Sequence, residues 1–271
     1  MSGGANPDVS LVIAVYQRED ALELVLISLL NQTFGDFEIV VADDGSDQGI
    51  ARVIQDYSEQ FAHPIRHVWH DDAGFRKTVI VNRAVTHAAG DYLVFIDGDC
   101  LLHHRFLERH VKRRHQGGIL SGRRVMFDRS LTERVTSEDV RKRRIERINY
   151  WWKHAGKIDR WNGFYLPFLH GARNIGRRQY QILGSNFSAH KEDFYRVNGY
   201  DERIVGRGLE DNNLCVRFVN AGMVIRTITR EAIQYHLYHE ADPIPHTRDF
   251  IERYRSSGET WTPHGIKKEE R

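Results

Sequence analysis

Apolar positions along the first hundred residues fall into two alternating rhythms. "VSLVIAVY" (9–16) is a short apolar run rich in β-branched residues and predicts a buried strand. "EDALELVLISLLNQ" (19–32) spaces its apolar residues for a helix, among strong helix formers. The same alternation continues. "DFEIVVADDGSD" (36–47) predicts a strand that runs into a turn of Asp, Gly and Ser; a helix follows over 49–62, a strand over 65–70, a helix over 78–90 with a Gly stop, and a strand over 91–97. Strands alternating with helices predict an α/β fold with a mainly parallel sheet and right-handed crossovers.

Beyond residue 100 the rhythm loosens. A basic helix is expected over 104–116 and one strand over 118–127. "QILGSNFSAHKEDFYRVNGYDE" (181–202) reads as strand, turn, helix, turn, and 209–222 as an amphipathic helix ended by Gly222. Residues 224–239 offer one or two further strands. Residues 133–180 mix cations with aromatics and give no clear period. A polar tail from about 255 is expected to be mobile.

Composition narrows the classes. The 271 residues are 41% hydrophobic, which permits one large α/β domain or two small ones and excludes global disorder. No run approaches the ~18 apolar residues of a membrane span, and "MSGGANPDVS" lacks the charged and apolar regions of a secretory signal. Only Cys100 and Cys215 occur, too few to staple the fold and not at zinc spacing, so a reducing cytoplasmic setting is expected. The net charge is +2 but unevenly spread, since residues 101–180 hold 20 Lys and Arg against 7 acids. That is a local patch and not the footprint of a nucleic-acid binder, so no nucleic-acid partner is expected. Inside it, "VRKRRIERINYWWKHAGKIDRW" (140–161) sets Trp151, Trp152 and Trp161 among cations. A solvated helix with core aromatics accounts for this. Contact with an anionic membrane surface is the functional alternative, and a flap over a bound ligand a third.

Open α/β sheets bind ligands at the carboxyl ends of their strands. Three such ends carry chemistry: Tyr16, Gln17 and Arg18 after the first strand, Asp43 and Asp44 after the second, and Asp97-Gly98-Asp99 after the fourth. No G-x-G-x-x-G or Walker loop is present to cradle phosphate. Asp-Gly-Asp instead offers hard oxygens to Mg²⁺ or Mn²⁺, which commonly bridge carboxylates to substrate phosphates, and Gly98 permits a close approach. A polar turn that merely ends a strand is the bland alternative. "GSNFS" (184–188) is equally a tight turn or a ligand loop.

Taken together, "VSLVIAVYQRE", "LLNQTFGDFEIVVADDGS", "GFRKTVIVNRAVTHAAGDYLVFIDGDC" and "GYDERIVGRGLEDNNL" resemble family 2 glycosyltransferases over about residues 9–240. The last stretch is similar to galactosyltransferase-like and chondroitin-polymerase-like members. The resemblance implies a GT-A (Rossmann-like) three-layer sandwich, a central, mainly parallel mixed sheet flanked by helices. It implies one domain over 1–271, with a nucleotide-binding half (9–100), an acceptor and catalytic half (101–240) with a basic aromatic insertion (133–180), and a tail (241–271).

The resemblance also implies site residues. Ala14, Tyr16 and Arg18 would contact the nucleotide, and Asp44 would accept from uracil N3–H, with Asp43 structural. Arg76 would line the donor pocket, with Lys77 and Asn82 as weaker candidates. Asp97, beside Gly98, would meet the ribose, Asp99 would hold a divalent cation (Mn²⁺ or Mg²⁺), and His236 would complete its shell with His239 in reserve. Asp211 would be the catalytic base and Glu210 would orient the acceptor or backbone. By position alone, Glu210 and Asp211 equally begin a helix, where carboxylates favour the positive dipole end. Arg207 departs from the Trp of the galactosyltransferases' "W-G-G-E-D", which puts sugar identity in doubt.

The implied activity is inverting transfer of a hexose or N-acetylhexosamine from a UDP-sugar to a hydroxyl of a carbohydrate or lipid-linked glycan, in bacterial surface-polysaccharide synthesis. The implied place is cytoplasmic, at or near the inner face of the membrane. Two alternatives stand beside it. A nucleotidyltransferase would normally show a Gly-rich loop with Lys or Arg after the first strand, which "VYQRED" lacks. A binding module for nucleotide sugars or glycans would need no catalytic base.

Overall fold

The computed structural model describes residues 6–158, 165, 182–205, 208–240 and 254–268. The chain opens with β1 (Val9–Val15), α1 (Glu19–Leu29), β2 (Phe37–Asp43), α2 (Gln48–Ser58), β3 (Arg66–Trp69), α3 (Lys77–His87) and β4 (Tyr92–Asp97). Then come β5 (Cys100–Leu102), α4 (Phe106–Arg113), β6 (Gly118–Ser121), β7 (Arg123–Met126), α5 (Arg129–Thr132), α6 (Ser137–Arg141), a 3₁₀ turn (Arg144–Glu146) and α7 (Ile148–Lys153). Last are β8 (Asn186–His190), α8 (Lys191–Arg196), α9 (Glu210–Asn220), β9 (Val224–Thr227) and β10 (Ile233–His236).

Seven strands form the main sheet in the order β3-β2-β1-β4-β8-β6-β9. The first four are mutually parallel, β8 runs antiparallel to both of its neighbours, and β6 and β9 are parallel. The mostly apolar runs follow from burial on both faces. Leu11 and Ile13 of β1, Ile39 and Val41 of β2, and Val94 and Ile96 of β4 enter one core. Their alternate neighbours Val12, Val40, Ala42, Leu93 and Phe95 enter the other. The first core is covered by α1, α2 and a small sheet ordered β5-β10-β7, the second by α3, α8 and α9. A sheet sandwiched between two covering layers results.

Three expectations need correcting. The strand expected over 118–127 is split at Gly122 into β6 and β7, which join different sheets. The Gly122 N–H donates to Asn186 O at 2.8 Å, and a Cβ at that position would strike the Asn186 side chain, so the backbone bends there at close quarters. In 182–202 the strand follows the Gly-Ser turn instead of preceding it. The polar tail, where described, packs on the body: Thr262 Oγ1 donates to Asp201, and Asn198 donates to the carbonyls of Thr262 and Lys267. Gly222, by contrast, ends α9 as expected, in the left-handed conformation (φ 84°) that a helix C-terminus favours.

Candidate active site

Parallel strands present their carboxyl ends along one edge, and antiparallel β8 presents its start there. Around that edge lies a cleft of about 610 Å³. Its lining includes Ala14, Tyr16 and Arg18 after β1, Asp44 after β2, and Asp97, Gly98 and Asp99 after β4. Gly184 and Ser185 before β8, Glu210 and Asp211 at the start of α9, Lys77 at the start of α3, Arg124 of β7 and His239 also line it. The four separated acids Asp44, Asp97, Asp99 and Asp211 thus share one cavity. Register fixes part of this, because Ala14 pairs with both Ala42 and Asp97. Gln17 and Arg18 both adopt left-handed backbone (φ 52° and 60°), rare for residues with side chains and a feature that gathers at ligand sites.

At one end, Asp44 is buried. His70 Nε2 lies 2.8 Å from its Oδ1, and the Arg76 backbone N–H donates to its Oδ2 at 2.8 Å. Burial raises its carboxyl above the usual range, against the opposing pull of His70 and Arg76. Asp43 is spent internally, accepting from Ser46 N and lying 2.8 Å from His67 Nε2. Tyr16 is exposed beside the cleft and donates to Asp72 at 3.1 Å.

In the middle, Lys77 Nζ donates to Asp97 Oδ1 at 2.6 Å. Burial alone would lower the Lys77 ammonium. The carboxylates of Asp97, Asp211 and Glu210 outweigh it and raise its pKa. Asp97 answers in the opposite sense: burial would raise it, but Lys77 holds it low.

Asp211 is held by two donors, the Tyr200 hydroxyl to Oδ1 at 3.0 Å and the Gly184 N–H to Oδ2 at 3.1 Å. Burial raises its pKa all the same, with Lys77 opposing and Asp97 adding repulsion. Glu210 accepts from the Gly208 N–H at 2.6 Å, and burial together with Asp211 pushes its pKa up to about 7. A raised carboxylate facing a cleft is suited to accept a proton near neutral pH.

At the third corner, His236 Nε2 and His239 Nε2 lie 3.4 and 3.3 Å from the same Asp99 Oδ2. The three ligand atoms are close enough to share one cation. His236 Nδ1 is buried and has no hydrogen-bond partner, so that ring is not tied into an internal network through its second nitrogen. Burial lowers its pKa, which keeps the imidazole neutral as a metal ligand must be. One carboxylate and two imidazoles suit Mn²⁺ better than Mg²⁺. A second trio, His103, His104 and Glu146, lies elsewhere. There the Arg105 N–H donates to His103 Nδ1, which leaves the proton of the neutral ring on Nε2, the atom that faces Glu146. The guanidiniums of Arg105, Arg143 and Arg109 act on that trio and oppose a cation there.

Two expected donor contacts are displaced. Arg76 does not line the cleft: its backbone N–H reaches Asp44, while its guanidinium turns back to the Asp71 carbonyl at 2.6 Å. Asn82 is buried away from the cleft. It brackets the following turn, accepting from Tyr200 N and donating to Tyr200 O and Glu202. Sequence reasoning missed Tyr200 and Arg124 altogether. Arg207 and Trp161 lie outside the described residues.

The family described as "Glycosyl transferase family 2" matches residues 10–181, more than half of the chain. The chain is a family 2 glycosyltransferase. A second family, described as "N-terminal domain of galactosyltransferase", matches residues 172–240 of this glycosyltransferase. It is 28% identical to a validoxylamine A glucosyltransferase of Streptomyces hygroscopicus subsp. limoneus over 86% of the chain and 52% of that protein. It is 24% identical to a chondroitin synthase of Escherichia coli over 84% of the chain and 34% of that protein. The glycosyltransferase therefore spans about half or less of the length of these relatives. Among solved structures it is similar to S. aureus TarS 1-349 in complex with UDP (TM-score 0.62, 16% identity, covering 93% of this chain and 65% of that one). It is also similar to the mannosyltransferase PcManGT of Pyrobaculum calidifontis in complex with GDP-Man and Mn2+ (TM-score 0.58, 17% identity, covering 87% and 58%). At such identities the likeness speaks for the fold, which is GT-A. No described helix of the glycosyltransferase is long and apolar enough to cross a membrane.

Proposed function

We propose that this chain moves a hexose or N-acetylhexosamine from a UDP-linked donor to a hydroxyl of a carbohydrate acceptor, inverting the anomeric carbon, with a divalent cation bound. The observation that carries the reading is the position of Asp211: a carboxylate of raised proton affinity, fixed by two donors, in the same cleft as Asp44, Asp97 and Asp99. Asp44, an acceptor when ionised, suits the N3–H of uracil. Asp97, whose Oδ1 accepts from Lys77, would accept from a ribose hydroxyl. Asp99, His236 and His239 would hold Mn²⁺ or Mg²⁺, whose charge stabilises a departing diphosphate. Asp211 takes the proton of the acceptor hydroxyl as that oxygen attacks the anomeric carbon. The bond from that carbon to the UDP oxygen breaks, and UDP leaves with the electron pair. Glu210, which accepts from the Gly208 N–H, would orient the acceptor or the backbone. A glycan acceptor is supported by the likeness to a chondroitin synthase.

Asp211→Asn tests this. The amide keeps the shape but cannot accept the proton, so UDP affinity by calorimetry should be unchanged while transfer falls by roughly 10²–10⁴. Near-parental turnover removes Asp211 as the base. A parent that binds UDP yet releases none from a panel of nucleotide sugars, with or without acceptor, is a binding module instead.

A further inference from the structure

The segment that follows β7 sends its largest apolar side chains inward. Val140, Ile145 and Trp151 join the core, and the Trp151 indole N–H donates to Ile145 O at 2.8 Å. Two large apolar residues of the same segment point outward: Ile148 is 59% and Trp152 66% exposed. They are four residues apart and so share one face of α7. Exposed cations precede and flank them in the chain, and their pairing is uneven. Lys142 and Arg144 are matched by Glu138 and Asp139, and Glu146 is engaged by His103 and His104. Arg141, Arg143, Arg147 and Lys153 are exposed and form no ion pair among the described residues. A single exposed apolar residue is unremarkable. An exposed Trp and Ile on one face, flanked in the chain by Arg147 and Lys153 and preceded by Arg141 and Arg143, none of them ion-paired among the described residues, is the pattern of an interfacial anchor.

We propose that this face docks on an anionic lipid bilayer. Ile148 and Trp152 enter the boundary between headgroups and acyl chains, while Arg141, Arg143, Arg147 and Lys153 lie among the anionic headgroups. The inference is independent of the transfer reaction. Charge complementarity decides the occupant: a neutral apolar partner would leave four cations unmatched beside it. Each cation near an anionic surface contributes about fivefold in partitioning. Removing three of them should then cost roughly a hundredfold, and reversing them more.

The experiment is co-sedimentation of the whole chain with vesicles of phosphatidylcholine alone or mixed with phosphatidylglycerol. The parent should bind the mixed vesicles, fail to bind the neutral ones, and be released by raised salt. Combined Arg143→Glu, Arg147→Glu and Lys153→Glu should abolish binding. Combined Ile148→Ser and Trp152→Ser should weaken it by roughly a hundredfold, the scale of the apolar area withdrawn from the bilayer. All five positions are exposed, so circular dichroism and Tm should match the parent and UDP affinity should persist. Equal binding to neutral vesicles, no binding to mixed ones, or parental binding by either variant overturns the proposal. So does retention on soluble heparin that the Glu variants lose and the Ser variants keep, with no vesicle binding, which would mark a polyanion site.

Discussion

Tyr200→Phe isolates what the hydroxyl does for Asp211. The ring is 2% exposed and packs edge-on against Phe194 at 6.0 Å, so phenylalanine keeps the packing and deletes only the donor. Asp211 then retains one partner, the Gly184 N–H. A hydrogen bond to a charged group contributes about 1.5–3 kcal/mol. It favours the ionised carboxylate, so its loss raises the proton affinity of Asp211 by about one to two pKa units, at about 1.36 kcal/mol each. Because Asp211 and Glu210 titrate together, the shift shows in the acid limb of the pair. The base must be ionised to act. In the parent, kcat/KM should rise with pH through a limb above the usual carboxylate range, because burial raises Asp211. In the variant that limb should move up by about one to two units. Below it the rate falls roughly 10–100-fold, while the alkaline plateau is kept.

Stability follows the same sign. A carboxyl whose folded pKa is raised stabilises the fold at low pH and loses that contribution as pH rises through the folded value. Tyr200→Phe should therefore lower Tm more above the limb than below it. The assay is UDP release measured across pH, with urea unfolding as the control. An unmoved limb, or a uniform loss of rate at every pH, refutes the role assigned to this hydroxyl.

The remaining predictions concern the cation and the Asn82 bracket. Asp99→Ala or His236→Ala should abolish any gain in UDP affinity on adding Mn²⁺, read by calorimetry, and His239→Ala should reduce it; a parent indifferent to Mn²⁺ contradicts the assignment. Asn82→Ala should cost about 2–5 kcal/mol in urea unfolding, because it strands the buried backbone groups of Tyr200 that it now satisfies. Donor affinity should stay close to parental. A weakened donor with unchanged stability would return Asn82 to the donor pocket.

Much of the fold was readable because burial on both faces of β1, β2 and β4 writes mostly apolar runs without an amphipathic alternation. β5 was not readable, since three residues are too short to show a period. The 118–127 run hid its break for a different reason: only the neighbouring Asn186 side chain reveals why Gly122 must turn. That Asp44, Asp97 and Asp99 gather at one cleft was legible because parallel strands bring their carboxyl ends to one edge. Arg76 and Lys77 were not separable, because one residue at a helix start turns the side chain by about 100° and so decides which cation meets Asp97. Asn82 misled because an amide that binds ligand and one that brackets a turn look identical in sequence. Tyr200 was invisible because nothing local marks a hydroxyl aimed at a residue eleven positions on.

The reversal of β8 puts the start of a strand where its parallel neighbours place their ends, and so brings a main-chain amide to Asp211. That support cannot be tuned by exchanging one side chain for another. A Cβ at Gly184 would collide with the Asp211 carboxylate. Position 184 is therefore a sentinel: a homologue with bulk there has to hold the carboxylate at position 211 in another orientation.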